Sequence, residues 1–171
     1  MRSGVRMGVD VGRARIGVAR SDLHGMLATP AETVSRAASG GADIERIADL
    51  VRELEVFEVV VGLPLNLRGE RTASTEDADA FARRLAARLH AEGVFVRLVD
   101  ERLSTVSAQG QLRQAGKKTK QSRNIIDQAA AVVILQHALD LERQRDTAPG
   151  IEVSHVARPP QSSASERESQ S

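Results

Sequence analysis

The first hydrophobic residues of the chain occupy every second position. This alternation covers Val5, Met7, Val9 and Val11, and it resumes after Gly12 at Ile16 and Val18. Alternation with period two is typical of strands with one buried face, and a glycine between two such runs is typical of a tight turn. The pattern therefore predicts a hairpin over residues 8–19. A third short strand, interrupted by Pro30, is expected near residues 26–34.

Beyond Gly41 the spacing of hydrophobic residues changes to that of helices. Two stripes recur every three or four positions, at Ile44, Ile47, Val51 and Leu54 and at Ala78, Phe81, Leu85 and Leu89. Short apolar runs at residues 56–61 and 94–99 follow these stripes and predict buried parallel strands. After a short helix that ends at Gly116, a last helix is predicted from Asn124 to about Arg143, hydrophobic on nearly all sides.

The order of these elements predicts an α/β fold. Three strands joined by short turns must pair antiparallel, whereas strands joined through helices pair in parallel. We therefore expect a mixed five-stranded sheet, three antiparallel strands and then two parallel ones, flanked by helices. Residues 1–145 form the predicted domain. Residues 146–171 are rich in Ser, Pro and Gln and are predicted to be a disordered tail.

The composition narrows the classes of protein that fit. The chain has 171 residues and a formal net charge of +1, so any nucleic-acid footprint must be local. Cysteine is absent, which excludes disulfides and thiolate metal sites and agrees with a cytoplasmic protein. The longest apolar run is too short to cross a membrane, and no secretory signal is present. Without Trp or Tyr, base stacking on aromatic side chains is not expected.

Four acidic residues stand where acids are unexpected. Asp10 lies within the first strand, Asp100 and Glu101 follow the run at 94–99, and Asp127 lies on the buried face of the last helix. Burying a carboxylate costs several kcal/mol unless a cation or donors compensate for it. Carboxylates hold Mg²⁺, and two such ions about 4 Å apart stabilise the attacking and leaving oxygens of a phosphodiester displacement. The pattern predicts such a metal site at one edge of the sheet.

Each acid also has a simpler explanation when it is considered alone. Asp127 could offset the dipole of the last helix, and Asp10 could be an acid that accepts hydrogen bonds in the turn. The joint pattern favours metal binding, because the predicted topology carries acids from distant segments to the same sheet edge.

The segment between Glu101 and Asp127 contains basic residues and no acid. The basic residues are Arg102, Arg113, Lys117, Lys118, Lys120 and Arg123. A run of charges is most often a solvated surface, but here candidate metal ligands stand at both ends. The basic residues of this segment other than Arg113 are therefore predicted to bind a polyanionic substrate.

Three more polar residues are candidate substrate contacts. Arg13 and Arg15 follow Asp10 in the hairpin and either bind phosphate or are solvated turn residues. Asn66 lies in the loop after the strand at 56–61, at the same edge of the sheet. The four histidines show no metal-ligand spacing, and the chain has neither a Ser-His-Asp pattern nor a P-loop.

Four motifs, in order, resemble those of the YqgF/RuvX family. They are Gly-Val-Asp-Val-Gly-Arg-Ala-Arg-Ile-Gly-Val-Ala (8–19), Gly-Leu-Pro-Leu-Asn (62–66), Asp-Glu-Arg-Leu-Ser-Thr (100–105) and Ile-Asp-Gln-Ala-Ala-Ala-Val-Val-Ile-Leu-Gln (126–136). The resemblance extends from about Gly4 to Leu141. It implies an RNase H-like fold and a divalent-metal-dependent nuclease of the bacterial cytoplasm, linked to trimming the 5′ end of pre-16S rRNA. Family members are also described as Holliday junction resolvases.

The resemblance also implies the site. The family's acidic positions fall on Asp10, the Asp100–Glu101 pair and Asp127, with Mg²⁺ or Mn²⁺, as two ions, for cofactor. Many other RNase H-like enzymes carry their second acid on the strand that corresponds to residues 56–61 of this chain. Here that strand ends in Gly62-Leu63-Pro64, without an acid. Within the pair we favour Glu101 as the ligand, because the longer side chain reaches farther from the neighbouring strand.

Three alternatives to an RNA-processing nuclease remain open from the sequence. A junction-resolving DNA nuclease would use the same chemistry but would need a dimer to make paired incisions, whereas RNA trimming needs only a monomer. A sugar-kinase or actin-like ATPase also carries Asp-x-Gly in a first hairpin, but it needs a second domain for which 171 residues leave no room. A nuclease-fold binding module without catalysis is disfavoured by the retained acids.

Overall fold

The computed structural model describes residues 1–101 and 120–153, and side chains of the second range from residue 123 onward. The strands are β1 (Val5–Val11), β2 (Arg15–Ser21), β3 (Ala28–Ser35), β4 (Val56–Leu63), β5 (Phe95–Asp100) and β6 (Ile151–Glu152). The α-helices of these ranges are α1 (Ala42–Glu53), α2 (Ala73–Leu89) and α3 (Lys120–Arg145). None of them is long and apolar enough to span a membrane.

The strands form one mixed sheet in the order β3-β2-β1-β4-β5-β6. β1 pairs with β2, and β2 with β3, in the antiparallel sense, while β4 joins β1 and β5 joins β4 in parallel. The predicted α/β class and the arrangement of the first five strands are confirmed. β3 runs continuously through Pro30, which an edge strand tolerates because one side of it needs no backbone donor.

The predicted number of five strands is wrong, because a sixth follows α3. β6 pairs antiparallel with β5, and the N–H of Val153 donates to the oxygen of Val96 at 2.8 Å. Val153 is buried in the core. Residues 150–153 therefore pack against the sheet, although their composition placed them in the predicted tail. A two-residue strand is too short to produce a periodic pattern. Residues 154–171 of that tail lie outside the described residues.

The two faces of the sheet bury separate hydrophobic clusters. On one face, Met7, Val9, Val59 and Val61 pack with α1 and α2. On the other face, Val60 and Val99 pack with α3 through Ala131, Ile134 and Leu135. Burial stabilises each large side chain by about 1.5–3 kcal/mol. The second cluster therefore holds α3 over the middle of the sheet, and one face of the helix points inward.

A group of charged side chains, buried except for Arg2 and here called the basal cluster (Arg2, Arg6, Glu58 and Glu142), joins α3 to the start of β1. Arg6 pairs with Glu142 at 2.7 Å, and their side chains are 2% and 3% exposed. Arg2 donates to both carboxylate oxygens of Glu58 at 2.8 Å and to Glu142 at 2.5 Å. Buried charges of this kind need all their partners. The cluster fastens the end of the sheet opposite to Asp10.

Candidate active site

Asp10 lies near the end of β1, on the face of the sheet that α3 covers. Its neighbour on this face, Gly8, lets the helix approach closely, because a Cβ there would lie 2.7 Å from Leu135 Cβ and 2.8 Å from the Ala131 oxygen. Burial, and after it the negative charge of Asp127, raises the pKa of Asp10 to about 6. An ionised carboxylate at this position is therefore unfavourable without a cation.

Asp127 reaches Asp10 because α3 packs directly on Gly17. Gly17 is the partner of Asp10 in the β1–β2 ladder, and a Cβ at Gly17 would overlap the backbone oxygen of Asp127. The next helix residue, Gln128, donates to Thr33 Oγ1 at 3.0 Å and fixes the helix across β3. A glycine in the middle of a strand thus brings an acid of α3 beside an acid of β1.

Glu101 reaches the same place from β5 across a second glycine. Its backbone N–H donates to the Leu63 oxygen at 3.3 Å, which continues the β4–β5 pairing by one residue. Its carboxylate lies over Gly62, where a Cβ would overlap Oε2 and would meet Ile134 Cδ1 at 2.6 Å. Because β4 lies between β1 and β5, the absence of a side chain at Gly62 lets the Glu101 carboxylate extend across β4 into electrostatic range of Asp10.

The charges of these acids act on one another. Burial, and after it the negative charges of Asp10 and Asp100, raises the pKa of Glu101 to about 7. Carboxyl groups with pKa values raised by burial and by one another are frequent at functional sites. Their oxygens are the donors that Mg²⁺ and Mn²⁺ prefer. The chemistry of these donors therefore fits a divalent cation.

The carboxylates of Asp10, Glu101 and Asp127 do not surround a single ion position in the described structure. Within residues 1–101 and 123–153, no three His, Asp or Glu side chains are grouped closely enough to hold one ion together. Asp127 instead accepts a hydrogen bond from Arg15 Nε at 2.7 Å. Arg15 was predicted to contact phosphate, and the structure places it on a candidate metal ligand.

Asp100, the other acid of the pair, lines a cleft between β5 and α3 together with Val99, His137 and Leu141. Its charge still raises the pKa of Glu101. Of the two acids, Glu101 is the one whose carboxylate lies over Gly62.

The remaining predicted contacts divide into those that the structure places and those it does not describe. Arg13 is exposed at the hairpin turn. Asn66 Oδ1 accepts the N–H groups of Arg68 and Glu70 at 3.0 and 2.8 Å, so this oxygen orders its own loop. Arg123 is exposed near the start of α3. The short helix predicted before Gly116 lies outside the described residues, as do Arg102, Lys117, Lys118 and the side chain of Lys120.

Sequence reasoning missed three residues that shape the site. Gly17 and Gly62 make room for Asp127 and Glu101, and a glycine inside a strand pattern was the available signal. Arg36 donates to the Gly12 oxygen at 2.9 Å and to both oxygens of Asp77 at 2.8 and 2.9 Å. It thereby braces the hairpin turn. No local pattern identifies Arg36, because its partners are distant in the sequence.

Residues 4–141 match the profile of the RuvX family, described as Holliday junction resolvase. The chain belongs to the RuvX family. A relative from Clavibacter sepedonicus is 59% identical over 150 residues, which cover 88% of this chain and 91% of the relative. Another, from Leifsonia xyli subsp. xyli, is 60% identical over 150 residues, covering 88% and 94%. Both carry the name "putative pre-16S rRNA nuclease".

A solved structure extends the likeness to the fold. It is Thermus thermophilus RuvC in complex with a Holliday junction substrate, with a TM-score of 0.56 and 14% sequence identity. The similarity covers 85% of this RuvX-family chain and 99% of the RuvC chain. The RNase H-like fold expected from the four motifs is therefore confirmed.

Proposed function

We propose that this RuvX-family protein is a cytoplasmic, divalent-metal-dependent nuclease that processes the 5′ end of pre-16S rRNA. The observation that carries the proposal is the convergence of three carboxylates from separate elements toward one end of the sheet. They are Asp10 of β1, Glu101 after β5 and Asp127 of α3, and Asp10 lies within electrostatic range of the other two. The names of relatives with up to 60% identity favour pre-16S rRNA as the substrate.

In this proposal Asp10, Glu101 and Asp127 hold Mg²⁺ or Mn²⁺, as two ions. When bound, such ions generate a nucleophile from water and stabilise the charge on the phosphate oxygens. Asp100 adds negative charge beside Glu101 and is the weaker candidate for a ligand. The candidate contacts to the phosphate backbone are the exposed Arg13 and the basic segment, namely Arg102, Lys117, Lys118, Lys120 and Arg123; Asn66 is a candidate through its amide nitrogen.

A cleavage assay with two substrates tests the proposal. Purified protein is incubated with Mg²⁺ or Mn²⁺ and either a pre-16S 5′-leader RNA or a four-way DNA junction. Asp10→Asn should abolish cleavage. Asp49→Asn, the same chemical change at a half-exposed residue of α1, should leave cleavage intact. Metal-dependent cleavage of the RNA supports the proposal, and its absence with both substrates refutes it.

Resolution of branched DNA is the second candidate function, because the RuvX family is described as Holliday junction resolvase. The chemistry and the proposed ligands would be the same. Two sites would have to face one junction, so a resolvase must act as a homodimer, whereas an RNA-processing enzyme can act as a monomer. Symmetric nicking of the junction alone, together with a dimer in analytical ultracentrifugation, would establish this function instead.

A further inference from the structure

The contact between Arg15 and Asp127 joins a predicted substrate-binding residue to a proposed metal ligand. Arg15 Nε donates to Asp127 Oδ2 at 2.7 Å, and the two side chains are 31% and 20% exposed. The pair is therefore partly shielded from water, which strengthens the attraction relative to an open surface pair. A cation that binds Asp127 has to compete with this guanidinium.

The hairpin holds Arg15 in place. Arg15 is the first residue of β2, and its carbonyl oxygen accepts the N–H of Gly12 at 2.9 Å across the turn. Arg36 donates to the carbonyl of the same Gly12 and pairs with Asp77. The packing of α3 on Gly17 fixes the other partner. Both halves of the ion pair thus stand on rigid elements, and only the side chains need to move to separate them.

We propose that Arg15 is a positioning residue that holds Asp127 in the metal-free protein and is displaced from it when a divalent cation binds. The inference rests on the proposed function, because it takes Asp127 to be a metal ligand. Without a cation, the positive charge of Arg15 offsets part of the repulsion between Asp127 and Asp10. With a cation bound, Asp127 has a stronger partner, and the guanidinium becomes free at the rim of the site.

The proposal predicts that removal of Arg15 tightens metal binding. Arg15 competes with the cation for Asp127 through one partly exposed, charge-assisted hydrogen bond, and this competition lowers the Mn²⁺ affinity by about fivefold. Arg15→Ala should therefore raise the Mn²⁺ affinity by about that factor. Arg15→Lys keeps a donor and a charge and should return the affinity to near the wild-type value. Arg13→Ala removes the same charge from the same turn. Arg13 is exposed and its charge acts on Asp77, so we expect less than about a twofold change.

The experiment measures Mn²⁺ binding to the full chain by electron paramagnetic resonance, without nucleic acid. The proteins are wild type, Arg15→Ala, Arg15→Lys, Arg13→Ala and Asp127→Asn, each first shown to unfold cooperatively. Tighter binding in Arg15→Ala alone supports the proposal. Equal tightening in Arg13→Ala indicates a general charge effect and overturns it, as does unchanged or weaker binding in Arg15→Ala. If the wild type binds no Mn²⁺, or Asp127→Asn binds it normally, the proposed metal site is itself wrong.

Discussion

Replacing Asp10 by Asn is expected to stabilise the metal-free protein although it removes a proposed metal ligand. Burial and the charge of Asp127 raise the pKa of Asp10 from 3.8 to about 6. At about 1.4 kcal/mol per pH unit, the ionised carboxylate costs the fold roughly 3 kcal/mol at neutral pH. The amide of Asn has nearly the same shape and no charge, but it must also be desolvated. We therefore expect a net gain of about 2 kcal/mol in the free energy of unfolding.

The sign of the pH dependence follows from the direction of the shift. The folded-state pKa of Asp10 lies above the unfolded value, so between about pH 4 and 6 the native state binds more protons. The stability that Asp10 contributes is complete below about pH 4 and is lost as the pH rises through about 6. The gain from Asp10→Asn should therefore be absent near pH 4 and fully developed at neutral pH.

Urea unfolding in EDTA, over a series of pH values, measures this gain. The difference between variant and wild type reports Asp10 together with its effect on the pKa of Glu101, because the carboxylates paired with arginine elsewhere titrate alike in both proteins. Asp49→Asn is the control, since the Asp49 side chain is 45% exposed and pairs with Arg52 on the same helix. Adding Mg²⁺ should narrow the gap, because the ion stabilises the wild type and binds the variant less tightly.

One result would refute the electrostatic reasoning. If Asp10→Asn is less stable than wild type at neutral pH, with a loss that grows as the pH rises through about 4, Asp10 acts as a hydrogen-bonded structural acid whose pKa the fold lowers. The turn interpretation of Asp10 would then be correct, and the proposed metal site would lose its central ligand.

Three further predictions concern other parts of the molecule. Gly17→Ala should force α3 away from β2 and cost about 1–3 kcal/mol, because its Cβ would overlap the helix backbone; urea unfolding measures the loss. Glu142→Ala should cost about 3–5 kcal/mol by the same assay, because Arg6 stays buried without its carboxylate, while Mn²⁺ affinity of the folded protein should not change. The third prediction concerns three lysines of the basic segment, Lys117, Lys118 and Lys120. Neutralising them together should lower the slope of log RNA affinity against log salt concentration by about two. An unchanged slope would exclude the basic segment from RNA binding.

The elements that hydrophobic spacing predicts best are those with long or repeated patterns. The alternation around Asp10 and the helical stripes gave the order and direction of the first five strands. β6 has two residues, and both are exposed, so it leaves no pattern to detect. Its place in the sheet depends on pairing with β5 across about fifty residues of chain, and such a contact can be seen only in three dimensions.

The sequence singled out the acids of the candidate site but not the residues that surround them. An acid inside an apolar strand is costly, and this made Asp10 conspicuous in the sequence. The preference for Glu101 over Asp100 rested on side-chain length, and the structure adds the reason that length matters, since the carboxylate crosses Gly62. The pairing of Arg15 with Asp127 spans 112 residues and could not be read from either motif alone.

Anomalous diffraction from a crystal soaked in Mn²⁺ tests the central claim most directly. The account predicts anomalous peaks between the carboxylates of Asp10, Glu101 and Asp127, with the Asp127 carboxylate turned from Arg15 toward the ion. Peaks in the cleft lined by Asp100 and His137, or no peak near Asp10 while the protein still cleaves RNA, would contradict it.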